Sequence, residues 1–541
     1  MLLLEAANIK KYYSDRIIIE FEELKVYSGD RIGIVGQNGA GKTTLVNILS
    51  KEIEPDEGYV KLYCPVSYIR QFSDEGIDAE QRLLKEFNLS QKSQQKAFSG
   101  GEKTRIKIAN AFSSENLLLF ADEPTANLDY KGVELLKQKL SEVDSFFLIS
   151  HDRQLLDSLC NKIIEVRDGK LKYYSGNYSF YKKQSEMELE YALYEYEKYI
   201  SEKASIEAAI KDREERCRTM RKTPKRMGNS EARLHKRETT QIQKKIHNGI
   251  KSMETRLKKL EVKEKPKELP KIKMDFTLTN PPENKIVISA ENLSFAYGKK
   301  KIFDGAGFSI PKGSKTALWG ENGTGKSTLL NLIYQNSTDS IRIVPKAKIG
   351  YFHQAFENLE YDKTILENVM LDSVQSQSVV RTILARLLFK TDDVFKKIRC
   401  LSGGERIKVS FAKLFVSDAN ILLLDEPTNY LDMQSIEALE SVLKDYEGTV
   451  LFVSHDSRFV NNIADRIIVF ENGKITTFEG TLEDYKQSQK KTQANLSGET
   501  DKIILEMKIS EIVAKLSNPN ADKEALEAEY QSLISKLRAL K

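Results

Sequence analysis

Gly36-Gln37-Asn38-Gly39-Ala40-Gly41-Lys42-Thr43 follows a short apolar run at residues 31–35, and Gly320-Glu321-Asn322-Gly323-Thr324-Gly325-Lys326-Ser327 follows a second at 315–319. Both read GxxxxGK[ST] between a β-like run and a helix-like one. Glycines let successive backbone N–H groups turn inward around phosphate oxygens, and the N-terminus of the helix that follows adds its positive dipole. Gly36, Asn38, Gly39 and Gly41 would wrap one set of phosphates, and Gly320, Asn322, Gly323 and Gly325 another. Lys42 and Lys326 would neutralise β/γ-phosphate charge, Thr43 and Ser327 would hold Mg²⁺, and Thr44 and Thr328 would add contacts one residue further on. One such match arises by accident; two in matching contexts do not. An α/β fold that binds a nucleoside triphosphate twice is the expectation.

The rest of the chain repeats with the loops. The first is followed by Gln71, Ser99-Gly100-Gly101-Glu102, Asp122-Glu123-Pro124-Thr125 and Ser150-His151-Asp152; the second by Gln354, Ser402-Gly403-Gly404-Glu405, Asp425-Glu426-Pro427-Thr428 and Ser454-His455-Asp456. The same order of motifs at a large offset is an internal duplication. The offset is 284 residues at the lysine and 303 at the glutamate, so the first copy is about 19 residues shorter in between. Asp122 and Asp425 end apolar runs at 117–121 and 421–424, where a carboxylate reaches Mg²⁺ through water. Glu123 and Glu426 come next and can polarise an attacking water as general base. A lone histidine is usually structural, but His151 and His455 recur after matching apolar runs, which favours contact with a γ-phosphate. Tyr13 and Tyr297 each stand 29 residues before their lysine, a spacing that suits stacking on adenine; the alternative is a core tyrosine. The sequence has no NKxD element, which disfavours a guanine-specific enzyme.

A length of 541 residues exceeds one hydrophobic core, so two or more domains are expected. No stretch approaches eighteen consecutive apolar residues, and the N-terminus lacks a basic region before its short apolar run. A membrane span and a signal peptide are therefore not expected, and the location is expected to be cytoplasmic. Cys64, Cys160, Cys217 and Cys400 form no CxxC clip and no disulfide framework. The net charge of +5 conceals an uneven distribution: residues 211–273 hold 22 Lys and Arg against 9 Asp and Glu, so the remainder sums to −8. Such a segment points to a polyanion contacted at one place, or to a solvated charged helix pair.

That segment lies where the pattern turns helical. Leu189, Leu193, Tyr196, Ile200, Ala204 and Ala208 form one apolar stripe, and Ile242, Ile246, Ile250, Met253, Leu257 and Leu260 form another, with Pro224, Gly228 and Asn229 between them. The spacing predicts an antiparallel hairpin of two long helices with its tip near residues 216–237. The tip carries nine Lys and Arg and a single acidic residue, Glu231. Arg221, Lys222, Lys225 and Arg226 are candidates to grip RNA phosphates, with Met227 among the apolar residues that have no core to fill. Beyond residue 490, Leu505, Ile509, Ile512 and Leu516, then Leu526, Tyr530, Leu533 and Leu537, predict a smaller helical hairpin.

With Phe98-Ser99-Gly100-Gly101-Glu102 and Leu401-Ser402-Gly403-Gly404-Glu405 added to these motifs, the chain resembles the ABC ATPase superfamily. The resemblance implies two domains that sandwich two ATP molecules head to tail within one monomer. One site would combine Lys42, Gln71, Asp122, Glu123 and His151 with Ser402, Gly403 and Gly404. The other would combine Lys326, Gln354, Asp425, Glu426 and His455 with Ser99, Gly100 and Gly101. Gln71 and Gln354 would join the Mg²⁺ ligands, and Asn127-Leu128-Asp129 and Asn429-Tyr430-Leu431-Asp432 fit the D-loops. Phe98 replaces the usual leucine and Ala121 a bulkier residue, which leaves the equality of the two sites open.

Tandem domains, SGGE endings, a helical linker and Gly176-Asn177-Tyr178-Ser179-Phe180-Tyr181 before it are similar to the ABC-F family over nearly the whole chain. Family members act on the 70S ribosome, entering the tRNA exit site beside rRNA and P-site tRNA, with no DNA or membrane partner. Only 27 residues separate Gln71 from Ser99, too few for the arm of housekeeping members. The armless form most resembles the Vga-like resistance branch, which protects against lincosamides, pleuromutilins and streptogramin A compounds. The implied division is an ATPase domain at 1–183, a linker at 184–273, a second ATPase domain at 274–490 and a helical extension at 491–541. A translation factor that relieves stalling without drug, or the ATPase half of an exporter, are the alternatives.

Overall fold

The computed structural model describes residues 1–70, 81–87, 89, 100–113, 117–219, 229–263, 282–298, 300–352, 359–471, 474–489 and 531. Runs of consecutive apolar residues too short for a helix become strands buried on both faces, as parallel strands are. Leu118–Asp122 and Ser145–Ile149 are buried at every position, as is Thr449–Val453. They form the centre of two sheets with one plan. In the first half the order is Val66–Ile69, Leu118–Asp122, Ser145–Ile149, Arg31–Gly36, Lys162–Arg167, Lys170–Ser175. In the second it is Ile349–Phe352, Ile421–Asp425, Thr449–Val453, Lys315–Gly320, Arg466–Glu471, Lys474–Glu479. Five strands of each run parallel and the sixth returns antiparallel.

Each half adds an antiparallel layer whose strands alternate in burial. In the first half Leu2–Tyr13 lies between Arg16–Tyr27 and Glu57–Leu62. In the second Ile286–Tyr297 lies between Lys300–Pro311 and Ile341–Ile343. Each parallel sheet has an apolar cluster on both faces, for instance Ile32, Ile34, Leu45 and Val46 on one side of the first sheet and Val35, Leu119, Phe146 and Leu148 on the other. The doubled sheets position both glycine-rich loops at the carboxyl ends of their strands, where open α/β sheets bind ligands.

Two long helices join the halves, Tyr178–Thr219 of 42 residues and Asn229–Lys259 of 31. At 1.5 Å per residue they extend roughly 63 and 46 Å. Glu202 pairs with Arg256 at 2.7 Å and Glu195 with Lys263 at 3.3 Å, a register that only antiparallel helices give. Ile206 and Ile250 are buried between them. The first helix starts at Tyr178, ahead of the expected linker start, because Tyr178 and Tyr181 anchor it in the first half's core. Helix also continues to Thr219 and resumes at Asn229, so both helices extend into the expected tip at 216–237. Arg221, Lys222, Lys225, Arg226 and Met227 lie outside the described residues, as do nearly all of the C-terminal hairpin and Gln71, Ser99 and Gln354.

Candidate active sites

In each half the strand that feeds the glycine-rich loop sits at the middle of the parallel sheet. Gly41 and Gly325 cap the helices that follow with φ of 102° and 100°, values that favour glycine. The lysines curl back over the loops. Lys42 Nζ donates to the carbonyls of Gly36 at 2.8 Å and Gln37 at 3.1 Å; Lys326 Nζ donates to those of Gly320 at 2.8 Å and Glu321 at 2.7 Å. Burial pulls both ammonium pKa values down. The strand two places along the sheet brings a carboxylate to the next residue: Thr43 Oγ1 donates to Asp122 at 2.7 Å and Ser327 Oγ to Asp425 at 3.1 Å. A hydroxyl and a carboxylate at one helix start are hard oxygen donors of the kind that Mg²⁺ takes, so the residues present fit that ion.

Glu123 and Glu426 occupy the same backbone position. Their N–H groups donate to Ile149 O at 2.9 Å and Val453 O at 3.0 Å. Both hold φ near +50°, at 48° and 49°, which is costly for a side chain of this kind and is met at functional sites. In each, Oε2 accepts from a histidine N–H, that of His151 at 3.4 Å or His455 at 3.3 Å, while the buried Oε1 has no hydrogen-bond partner. A buried oxygen left unpaired costs about 1–3 kcal/mol, which an accepted bond from a substrate water would offset. Burial, and after it the Asp122 charge, pushes Glu123 up to about 8; burial and Asp425 push Glu426 up to about 7. Burial and then the lysine charge lower His151 and His455 to about 4. Each imidazole is therefore neutral at physiological pH. The approaches of 3.2 Å from His151 Nε2 to Glu123 Oε1 and 3.4 Å from His455 Nε2 to Glu426 Oε1 lack hydrogen-bond geometry and are not full ion pairs.

Neither site is built from one half. Asn38 N donates to Asp432 Oδ2 at 3.0 Å, and Asn38 Nδ2 to Tyr430 O at 3.0 Å. In the mirror arrangement Asn322 N donates to Asp129 Oδ2 at 3.3 Å, and Asn322 Nδ2 to Asn127 O at 3.0 Å. The glycines of the SGG segments lie against the opposite loop. A Cβ on Gly101 would stand 2.8 Å from Asn127 O and 3.3 Å from Asn322 Nδ2; one on Gly404, 2.9 Å from Tyr430 O and 3.2 Å from Asn38 Nδ2. A cavity of about 790 Å³ brings Gly100 and Gly101 together with Tyr297, Lys326, Ser327, Thr328 and Glu426. A second, of about 830 Å³, joins Ser402, Gly403 and Gly404 to Asn38, Glu123 and His151, and reaches Glu426 and His455 as well. Tyr13 and Tyr297 are 50% and 60% exposed, so neither ring belongs to the core.

The sequence did not reveal how the halves are tied at the edges. Arg153, only 4% exposed, donates to Met433 O at 3.2 Å and faces Glu440 at 3.5 Å; Lys182 pairs with Glu437 at 2.9 Å. At the other site Lys131 pairs with Glu321, and the Tyr130 and Trp319 rings lie 5.5 Å apart. The one available signal was an arginine directly after Ser-His-Asp in the first copy, where the second copy has Ser457.

Comparison with known proteins agrees with this geometry. A family model described as ABC transporter matches residues 22–82, 73–126 and 303–429. The chain is 33% identical over 480 residues to the erythromycin resistance ATP-binding protein MsrA of Staphylococcus epidermidis, spanning 85% of this chain and 96% of that one. It is 31% identical over 553 residues to the ribosome protection protein VmlR of Bacillus subtilis (strain 168), spanning 98% and 97%. To ABC transporter F family member 5 of Arabidopsis thaliana it is 30% identical over 584 residues, spanning 94% and 80%. Among the described residues, no helix is long and apolar enough to cross a membrane.

Proposed function

The chain belongs to the ABC-F family of ATPases, and from that premise we propose that it binds the 70S ribosome and protects it from antibiotics acting at the peptidyl-transferase centre. In this reading the closed, ATP-bound protein occupies the tRNA exit site beside P-site tRNA and rRNA, the linker tip is the effector, and hydrolysis releases the protein. The observation that carries the reading is the basic stretch 211–273 of the sequence, whose residues 211–219 and 229–259 lie on the linker helices of 42 and 31 residues. A ribosome offers the phosphates such a segment contacts. The name of MsrA supports resistance and that of VmlR supports ribosome protection. The drug panel expected from the Vga-like resemblance is lincosamides, pleuromutilins and streptogramin A compounds, to which MsrA adds erythromycin as a necessary control.

At each site Glu123 or Glu426, in its ionised form, takes a proton from the attacking water through Oε1, with the imidazole of His151 or His455 beside that oxygen facing the γ-phosphate. Lys42 and Lys326 leave their carbonyls to bind phosphate oxygens, and the opposite SGG segment closes over them, bringing Ser402 or Ser99 with it. Thr43, Asp122 and Gln71 would hold Mg²⁺ in one site and Ser327, Asp425 and Gln354 in the other, where the ion neutralises charge on the transferring phosphoryl group. Tyr13 and Tyr297 stack on adenine. The domain limits proposed are 1–183, 184–273, 274–490 and 491–541.

The test uses Glu123→Gln with Glu426→Gln. The double variant is expected to keep ATP, lose turnover and sediment with 70S ribosomes in an ATP- and salt-dependent way. Sedimentation that ignores both nucleotide and salt overturns the ribosome reading, and unchanged steady-state hydrolysis overturns the two glutamates. A second reading is a drug-independent translation factor that relieves stalled ribosomes. A deletion strain that protects normally against drug yet translates poorly without it would decide for that reading.

A further inference from the structure

The first turn of the linker helix is fastened to the short helix Arg153–Leu159 of the first half. Asp157 Oδ1 accepts from Ser179 N at 2.7 Å, and Tyr178 shares an apolar cluster with Leu155, Leu156 and Leu159. From this body two cations reach the helix Met433–Asp445 of the other half. Lys182 Nζ lies 2.9 Å from Glu437 Oε2. Arg153 donates to Met433 O at 3.2 Å and stands 3.5 Å from Glu440 and 3.9 Å from Glu437. Residues 433, 437 and 440 are spaced 4 and 3, so they share one face of that helix, and Met433 packs against the same apolar cluster. One residue earlier, Asp432 caps the helix and accepts from Asn38 N at 3.0 Å. A single helix therefore has its start in the first ATP site and one face on the root of the linker. The second edge repeats the plan with other side chains. Gly480, Tyr485 and Lys486 correspond to Gly176, Tyr181 and Lys182 and belong to the start of a helix at 482–489. There Lys486 lies 5.6 Å from the ring centroid of Trp319, in its own half, and Ser457 stands where Arg153 does.

We propose that Lys182 is a positioning residue for the first ATP site: through Glu437 it holds Met433–Asp445 to the linker root, so that the first site responds to the position of the hairpin. The geometry is that of a lever. The linker helix runs roughly 63 Å from Tyr178, and Lys182 stands about 6 Å from that anchor. A sideways shift of roughly 10 Å at the far end then becomes about 1 Å at Lys182, which takes a 2.9 Å pair out of hydrogen-bond reach. Freed from Lys182, Glu437 leaves the helix less firmly held, and with it the Asp432 cap that closes on Asn38. Coupling of this kind is reciprocal, so closure of the first site also steadies the hairpin. The inference rests on the two ATP sites and not on the ribosome: any partner that displaces the hairpin would loosen the first nucleotide.

The experiment uses the full chain without ribosomes, so its failure is distinct from failure of the ribosome reading. Glu123→Gln, Glu426→Gln protein is loaded with 8-azido-ATP, chased with ATP for increasing times and irradiated. Mass spectrometry of the digest assigns the retained label to the first or the second half. Lys182→Met should release label from the first half about threefold faster, the effect of one partly exposed ion pair, with release from the second half unchanged. Lys182→Arg should restore the parent rate, which separates the charge from any packing role of the side chain. Nitroxides on Cys217, near the hairpin tip, and Cys400, in the second half, report the other direction of the coupling; Cys64→Ser removes a third reactive thiol, and Cys160 is buried. In the presence of ATP the distance distribution between the labels should broaden on Lys182→Met and narrow again on Lys182→Arg. Unchanged release from the first half, equal acceleration from both halves, release from Lys182→Arg as fast as from Lys182→Met, or an unchanged distance distribution each overturns the proposal.

Discussion

Asp432→Asn should separate folding from closure. Asp432 is 9% exposed and its two oxygens have different partners: Oδ1 accepts from Ser435 N at 2.8 Å, capping Met433–Asp445, and Oδ2 accepts from Asn38 N at 3.0 Å across the interface. Asparagine caps a helix about as well as aspartate, so the helix keeps its start. The amide then turns its NH₂ toward the Asn38 N–H, and two donors oppose one another. A hydrogen bond to a charged acceptor is worth about 1.5–3 kcal/mol, so closure at the first site should weaken by about 10- to 150-fold. The assay is the release rate of a fluorescent ATP analogue in the Glu123→Gln, Glu426→Gln background, together with a denaturant titration. Asp432→Asn should release nucleotide faster at unchanged folding stability, whereas Asp432→Ala should also lose about 1 kcal/mol from the missing cap. Release no faster than in the parent would refute the reasoning, since the cross-half bond would then contribute nothing to closure.

Other outcomes follow from the same geometry. Tyr13→Ala or Tyr297→Ala should raise the apparent KM for ATP about five-fold, the equivalent of one aromatic contact near 1 kcal/mol, and equal affinities would assign the rings elsewhere. Glu123 and Glu426 have folded pKa values raised from 4.5 to about 8 and about 7, so their contribution to stability is present below pH 4.5 and is lost as pH rises through those values. His151 and His455, lowered from 6.5 to about 4, act in the opposite sense, contributing above pH 6.5 and losing that contribution as pH falls through about 4. The Tm of ATP-free protein should therefore fall between pH 6.5 and pH 8 and the double glutamine variant should flatten that slope; an identical slope in both would remove the buried carboxylates as its cause. Deleting residues 221–228 should leave folding and ATPase activity intact while drug protection in a translation extract disappears, and full protection by the shortened protein would remove the tip as effector.

What was legible in the sequence is what chemistry concentrates locally. The loops around Lys42 and Lys326, and the pairs Asp122-Glu123 and Asp425-Glu426, lie where apolar runs end, and the structure brings them together. Boundaries were less legible, because an apolar side chain does not fix register: the run at 117–121 becomes Leu118–Asp122, with Leu117 left 51% exposed. The start of the linker helix was misjudged because composition changes at residue 183, whereas the anchor that begins the helix is the buried ring of Tyr178. The positive φ of Glu123 and Glu426 has no signal in a residue type that could adopt any ordinary conformation. Contacts between Asn38 and Asp432, 394 residues apart, obey no periodicity at all.

Those long-range contacts also argue that the two sites are not equivalent. Beside the first site, the buried Arg153 faces Glu437 and Glu440 and donates to Met433 O, with Lys182 on Glu437 as well. Ser457, at the corresponding place in the second copy, has neither the length nor the charge to do the same. Beside the second site the tie is Lys131 with Glu321, whose side chains are 60% and 46% exposed. An exposed pair contributes about 0–1 kcal/mol and breaks cheaply. A buried one need not stabilise relative to apolar residues, but separating its members while either stays dry is costly, on the order of 3–5 kcal/mol. Opening the first site must therefore rehydrate Arg153 and Glu440 together, whereas the Lys131–Glu321 tie beside the second is already solvated. Lys182 belongs to the first linker helix, so the edge with the larger barrier is also the one from which the linker springs.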